Sequence, residues 1–358
     1  MRRYRIAVIG GDGIGPEVVA AGQRVLEAAA ARDGFVLETE SFPWGSDYYR
    51  RHGAMMPANG LDVLRGFDAI YFGAVGDPGL PDDVTLWGLR LAICQGFDQF
   101  VNLRPAKLLP GLDGPLRAEL GARIDWIVVR ENSEGEYAGV GGRTHRGYPE
   151  EIAIESSVFT RAGVARIQRF AFELARTRPE KRLTCVTKSN AQRHGMVLWD
   201  EVFAELAAEH GDIETDKVLV DAAAARMVLA PETMDVIVAS NLHADILSDL
   251  AAALTGSLGI AASANLDPTG AAPSMFEPIH GSAPDISGEG IANPIAAIWT
   301  ASMMLDHLGE HDSARRLMTA IARVCAEGAV LTPDLGGDAD TDQVADAIIA
   351  AVEGDNAP

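Results

Sequence analysis

An α/β architecture in two domains is predicted by three observations. Short apolar runs alternate with amphipathic stretches of helical length. The chain opens on a strand, a glycine turn and a helix, in RIAVIGGDGIGPEVV. No internal repeat or low-complexity linker separates the segments, so two domains can be discontinuous in sequence. At 358 residues, 47% apolar and 23% charged, the chain is long enough for two cores.

The elements come in order. Arg5–Ile9 is an apolar run leading straight into glycines, the mark of a first strand and not of a signal peptide. Pro16–Ala31 is the first helix, with Pro16 suited to its opening turn. Phe35–Phe42, Asp68–Val75 and Ile124–Arg130 are strand candidates. Between about 133 and 157 the pattern breaks into glycines at 135, 139, 141, 142 and 147, with the alternating EEIAIESSVF after them. This predicts a β arm or hairpin of the kind that grips a second subunit, with a plain surface excursion as the other reading. Further strands are predicted at Arg182–Thr187, Lys217–Val220 and Met234–Ala239. Helices are predicted at Arg161–Arg176, His194–His210, Leu242–Leu254, Pro294–Leu308 and Ala314–Glu327. Thr160 and Thr341 are candidate caps, Gly309 a candidate helix stop, and the final GDNAP reads as disordered.

Composition excludes several functions. With 30 Lys+Arg against 51 Asp+Glu the formal charge is −21, and no long basic run relieves it, so nucleic acid is not an expected partner. Three scattered cysteines, Cys94, Cys185 and Cys325, make neither a disulfide framework nor a zinc motif. The most apolar stretch, Leu250 to Ile260, is short and broken by Thr255, Gly256, Ser257 and Gly259, so no membrane span is expected. A cytoplasmic location is the corresponding expectation.

Four constellations could carry chemistry. In GDGIGPEV, around Ile14, glycines permit positive φ and close backbone approach beside a helix N-terminus. The spacing is GxGxG, not the GxGxxG of a dinucleotide fingerprint, and a tight βα turn is the plainer reading. In NLHADILSDL, Asp245 and Asp249 stand four apart on a helix that comes after a strand. Stacked carboxylates repel unless a cation lies between them, so a hard-cation site competes with a solvated face; Asp221, after KVLV, could add a third oxygen. Oxygen ligands alone imply Mg²⁺ or Mn²⁺. Lys188, in CVTKSN, and Tyr137, in RENSEGEY, are candidate base and proton donor, with a structural role as the other reading of each; Arg104 and Arg130 have the fork for carboxylates and are ordinary surface residues unless they converge on one. In MFEPIHGSAPDISGEGIANP, the special residues of one loop favour a binding loop over a connector, and Asp285 can accept two hydrogen bonds from vicinal ribose hydroxyls.

Together and in this order, GDGIGPEV, NLRPAK, NLHADILSDL and HGSAPDISGEGIANP closely resemble the β-decarboxylating dehydrogenases: isopropylmalate, isocitrate, homoisocitrate and tartrate/D-malate dehydrogenases. The resemblance implies an open isopropylmalate-dehydrogenase-like α/β/α fold, not a standard Rossmann domain. Residues 1–101 and 255–358 would form a cofactor domain, and 102–254 a central domain with its arm at 133–157. It implies a homodimer with shared active sites. Arg104 and Arg130 match the positions for substrate carboxylates, Tyr137 the proton donor and Lys188 the base. Asp221, Asp245 and Asp249 match the metal ligands, Lys188 and Asp221 being expected from the partner subunit. Ile14, His280, Gly281, Ala283, Asp285 and Asn293 match the cofactor positions, and the acid at 285 is the version associated with NAD.

The activity implied by this resemblance is NAD-dependent and Mg²⁺- or Mn²⁺-dependent oxidation of a small 2R-hydroxy acid, with β-decarboxylation. A K⁺ requirement stays open. VTLWGLRLAICQGFDQFVNLRPAKLLPG looks most like the tartrate/D-malate branch, with Trp87 narrowing the distal pocket unless it is a core aromatic. One departure stands out: Cys94 occupies the usual position of an arginine. Arg90, one helical turn earlier on the same face, is expected to replace it or to read another distal group. His243–Ala244, where Phe-Gly is frequent, is a second departure beside the metal helix. An isopropylmalate-like or other 2-hydroxy acid substrate, a non-catalytic regulatory paralogue, and a Mg²⁺ enzyme without nicotinamide are the competing readings.

Overall fold

The computed structural model describes residues 2–354. Its strands are β1 (Arg3–Gly11), β2 (Val36–Ser41), β3 (Ala69–Ala74), β4 (Val101–Lys107), β5 (Asp125–Glu131) and β6 (Gly135–Thr144). They continue with β7 (Ile152–Val158), β8 (Arg182–Thr187), β9 (Glu214–Leu219), β10 (Val236–Ala239), β11 (Ala262–Leu266) and β12 (Ser274–Pro278). The helices that matter here are α1 (Gly15–Asp33), α2 (Asp82–Thr85), α3 (Leu91–Gly96), α4 (Arg161–Thr177), α5 (Val220–Leu229), α6 (Asn241–Leu254), α7 (Ile295–His307) and α8 (Thr341–Gly354). The mixed α/β class is as predicted. Of the GDNAP tail, Gly354 ends α8, and 355–358 lie outside the described residues.

Two compact units form. The first draws on the chain up to Gln99, on Lys107–Ala122 and on everything from Ala252; the second on Phe100–Ala106 and Arg123–Ala251. The segment 107–122, expected in the central domain, packs with the first unit.

In the first unit the strand order is β2-β1-β3-β12-β11. β1 runs parallel to β2 and to β3, β12 parallel to β3, and β11 antiparallel to β12. β3 is buried throughout, the pattern of a parallel strand covered on both faces. In the second unit the order is β4-β5-β10-β8-β9, with β10 parallel to both β5 and β8. Strands β6 and β7 leave this sheet as a separate antiparallel hairpin, pairing Thr144 with Ile152, so the predicted arm is a hairpin. Its Val140, Tyr148, Ile152 and Ile154 are exposed apolar side chains.

Local signals account for most boundaries. The Thr160 hydroxyl accepts Gly163 N–H at 3.0 Å and so caps α4, as expected. Thr341 does not cap. It is the first residue of α8, and its hydroxyl donates to Ala292 O at 2.6 Å. The cap is Asp340, which accepts Gln343 N–H at 2.7 Å while Gln343 Oε1 accepts Asp340 N–H at 2.9 Å, a reciprocal capping box. Strands β4, β11 and β12 were not foreseen. The predicted strand Lys217–Val220 ends at Leu219, where the alanine-rich α5 begins.

Candidate active site

In the second unit, parallel strands deliver the charged residues at their carboxyl ends, where α/β sites collect. Arg130 is the residue of β5 paired with Ala239, the last of β10, and the chain then turns into α6. Its Nε donates to Asn241 Oδ1 at 2.8 Å, and its Nη1 makes a short contact with Asp245 Oδ1. On β4, Asn102 and Arg104 share a face by the two-residue strand period. Arg104 Nε donates to Asn102 at 2.6 Å and Nη1 to Ser248 Oγ at 2.7 Å; the same Nη1 lies 3.1 Å from Asp245 and 3.7 Å from Asp249. Both guanidiniums are buried while Asp249 is exposed. Two dehydrated cations therefore face two carboxylates stacked on α6.

Tyr137 joins this cluster. Its hydroxyl donates to Asp245 Oδ2 at 3.1 Å, and the Arg130 guanidinium carbon lies 5.3 Å from its ring centroid. The Asp249 carboxyl is pushed above the usual range, mainly by desolvation and then by the Asp245 charge, against the pull of Arg104 and Arg130. Such a carboxylate gains from a further cation.

Lys188 and Asp221 come together elsewhere in the unit. Register contributes: β8 pairs with β9 through Thr187 and Leu219, so Lys188, one residue beyond that pair, and Asp221, two residues beyond it in the first turn of α5, leave neighbouring strand ends. Lys188 Nζ lies 2.5 Å from Asp221 Oδ1, and this ammonium holds the Asp221 carboxyl below its ordinary range. Among the described residues of one chain, no three His, Cys, Asp or Glu side chains group as a metal cluster. Asp245 and Asp249 share the α6 face, and Asp221 does not group with them within the chain. The donor set fits a hard cation: oxygen ligands only, one of them exposed and raised.

Sequence reasoning missed the residues that hold this cluster. Glu136 accepts Leu242 N–H at 3.2 Å and Ser240 Oγ–H at 3.0 Å, placing an anion at the α6 N-terminus. Asn102, Asn241 and Ser248 position the two arginines. Polar residues at strand ends were the only local signal. His243 is buried, its Nδ1 has no partner among the described residues, and burial lowers its pKa against the pull of Glu136.

In the first unit the glycine turn and the HGSAPD loop are one assembly. Gly13 has φ 57°, and a Cβ there would lie 1.9 Å from Ser282 O; Ile14 N–H donates to that same oxygen at 2.9 Å. The glycines thus admit another stretch of chain, and one free N–H of the α1 N-terminus is spent on protein. The segment is a tight βα turn that seats the loop against it. The loop is tied again where Ala292 N–H donates to Glu17 at 3.1 Å and Thr341 N–H to Gly290 O at 2.9 Å.

Within the loop, Gly281 and Ala283 take positive φ, 70° and 37°. Ala283 is a non-glycine in a strained region. His280 Nδ1 lies 2.8 Å from Gly281 O, burial lowers the ring's pKa, and Nε2 is a buried atom with no partner among the described residues. That is an acceptor awaiting a donor such as an amino group, which fits a nucleotide cofactor. Asp285 is exposed and able to meet hydroxyls. Asn293 is more committed than expected: Oδ1 accepts Ile295 N–H at 2.9 Å and Nδ2 donates to Asp334 at 3.0 Å, so it shapes the loop.

Trp87 is 37% exposed, which rules out the core-aromatic reading. Cys94 is fully buried in an apolar cluster with Ile9, Ile70, Phe72, Phe97 and Met275. Arg90 is buried and bound to Glu277 and Asn265, so it is not a guanidinium waiting in an open pocket.

Residues 5–348 match the isocitrate/isopropylmalate dehydrogenase family. The chain belongs to that family. Its relatives align along nearly its whole length. A probable tartrate dehydrogenase/decarboxylase of Agrobacterium vitis is 64% identical over 357 residues, covering 99% of both chains. The decarboxylating D-malate dehydrogenase of Escherichia coli (strain K12) is 53% identical over 355 residues, covering 97% of this chain and 98% of that one. Among solved structures, isocitrate dehydrogenase from Methylococcus capsulatus superposes with a TM-score of 0.87 at 37% identity, covering 98% of this chain and 99% of that one. Among the described residues, no helix is long and apolar enough to cross a membrane.

Proposed function

We propose that this family member is an NAD-dependent, divalent-metal-dependent dehydrogenase that oxidises and decarboxylates a small 2R-hydroxy acid such as D-malate or tartrate. The observation that carries the proposal is the convergence of Arg104, Arg130 and Tyr137 on the Asp245–Asp249 face of α6. The names of the two relatives above support the substrate class.

Asp245 and Asp249, with Asp221 of a second copy, would hold Mg²⁺ or Mn²⁺, and the HGSAPD loop with Ile14 would hold NAD. When bound, the metal supplies a Lewis acid and NAD a hydride acceptor. The chain's own residues do the rest. Arg104 and Arg130 bind the substrate's carboxylates, fixing which face of C2 is presented. Lys188 of a second copy takes the C2 hydroxyl proton. Tyr137 delivers a proton to the carbon from which CO₂ has left. The exposed apolar side chains of the β6–β7 hairpin support a homodimer in which two chains complete each site.

The test is NADH formation, with CO₂ release monitored in parallel, on D-malate, the tartrates, isopropylmalate and isocitrate in the presence of Mn²⁺ and K⁺. NADH with CO₂ from D-malate or a tartrate is expected. NAD⁺ binding without turnover on any acid would instead favour a non-catalytic paralogue.

A further inference from the structure

The segment carrying Trp87 and Arg90 has an unusual backbone. Leu86–Arg90 is a π-helical turn inserted between α2 and α3, with Leu91 N–H bonded to Leu86 O. A π turn adds a residue to the helical path, which rotates the next turn by about 100° relative to an unbroken helix and frequently marks a functional site. Here it accompanies two neighbours with opposite surroundings: Arg90 meets polar groups, while Cys94 sits in the apolar cluster.

Arg90 belongs to a ring of polar contacts. Nε donates to Glu277 Oε1 at 2.7 Å, Nη2 lies 2.7 Å from the same oxygen, and Nη2 donates to Asn265 Oδ1 at 3.2 Å. Asn265 Nδ2 closes the ring by donating to Glu277 Oε1 at 2.8 Å. All three residues are buried: Arg90 is 8% exposed, Glu277 6% and Asn265 0%. The antiparallel register of β11 and β12, with Ser263 opposite Glu277 and Asn265 opposite Met275, puts the carboxylate and the amide side by side. A guanidinium paired to a dehydrated carboxylate carries no net charge toward a substrate, and removing either partner strands the other charge in the interior.

We propose that Arg90 is a positioning residue: with Glu277 and Asn265 it ties the Trp87 turn to β12, the strand that opens into the HGSAPD loop. Glu277 stands three residues before His280. The tie therefore orients the start of the loop, and its loss is felt at the cofactor. This rests on the assignment of that loop to NAD, and it replaces the expectation that Arg90 reads the acid's distal group.

A double-mutant cycle tests it, with Arg90→Gln, Glu277→Gln, the pair together, and Arg90→Lys as the conservative variant. Melting temperature, NAD⁺ affinity by quenching of intrinsic fluorescence, and KM for the hydroxy acid are read for each. Each Gln single variant is expected to melt lower and to weaken NAD⁺ binding severalfold while KM for the acid holds. The double variant is expected to be no worse than the poorer single, and Arg90→Lys to recover most of the loss. A merely structural role would lower the melting temperature without moving NAD⁺ affinity. A large rise in KM for the acid alone in Arg90→Gln, absent from Glu277→Gln, would overturn the proposal and restore the distal-group reading. Additive melting losses would also overturn it. If no acid yields NADH, the functional assignment fails separately, because the melting and NAD⁺-binding cycles do not depend on turnover.

Discussion

The HGSAPD loop and the carboxylate face of α6 are both concentrations of special residues, and they are held by opposite means. The loop is fixed by backbone: Gly13 lets Ser282 O approach, Ile14 N–H binds that oxygen, and Gly290 and Ala292 are pinned from α8 and α1. The α6 face is fixed by charge: two buried guanidiniums lie against Asp245 and Asp249, with Asn102, Asn241 and Ser248 steering them. A region held by backbone keeps its shape whatever charge arrives. A region held by ion pairs can exchange one cation for another, and that suits the metal and carboxylate substrate proposed for it.

The contrast makes predictions that would break it if they crossed over. Lys188→Met should lower kcat by roughly a thousandfold, the scale of a lost general base, while NAD⁺ affinity stays intact. Single-turnover measurement of NADH checks it; an unaffected rate would move the base elsewhere. Next, Asp249→Asn should raise the Mn²⁺ concentration for half-maximal activity by about a hundredfold, because a metal ligand matters at least as much as the groups that orient it. A metal titration reads this, and an unchanged midpoint would make the α6 face a purely internal ion-pair network.

Gly13→Ala addresses the other region with one methyl group. The new Cβ would sit 1.9 Å from Ser282 O at a positive φ, so the loop must move. A rise of about tenfold in KM for NAD⁺ is expected, equivalent to about 1.4 kcal/mol, with KM for the acid unchanged. A shift in the acid's KM instead would show that the two regions are not independently held. The smallest effect is expected of Thr160→Ala, which removes the α4 cap and should cost about 1 kcal/mol in a denaturant melt with no kinetic change.

Legibility differed from place to place for physical reasons. β1, its glycine turn and α1 were readable because period, Pro16 and the glycines all act within a dozen or so residues. β4 was not, since Asn102, Arg104 and Pro105 break an apolar run, and their polarity makes sense only once Ser248 and Asp245 face them. β12 was hidden in the same way: MFEP reads as part of a loop until its pairing with β3 and β11 is seen. The candidate residues Arg104, Arg130, Tyr137, Asp245 and Asp249 were named from spacing and resemblance, and they do gather. Glu136, Asn241 and Glu277 were not named, because their roles consist entirely of contacts with distant segments.

The sequence by itself determined most of the alternation of strands and helices, the break in it where the hairpin stands, and which residue types could carry acid–base and metal chemistry. All of these rest on short-range periodicity or on a side chain's own chemistry. Tertiary structure alone decided which charges neutralise which. Arg90 and Arg104 look alike in a string of letters, both coming after an apolar residue near the same helix and strand. Folding surrounds one with Glu277 and Asn265 and the other with Asp245, Asp249 and Ser248. A buried guanidinium is defined by the groups that replace its water, and those groups arrive from parts of the chain that local spacing cannot reach.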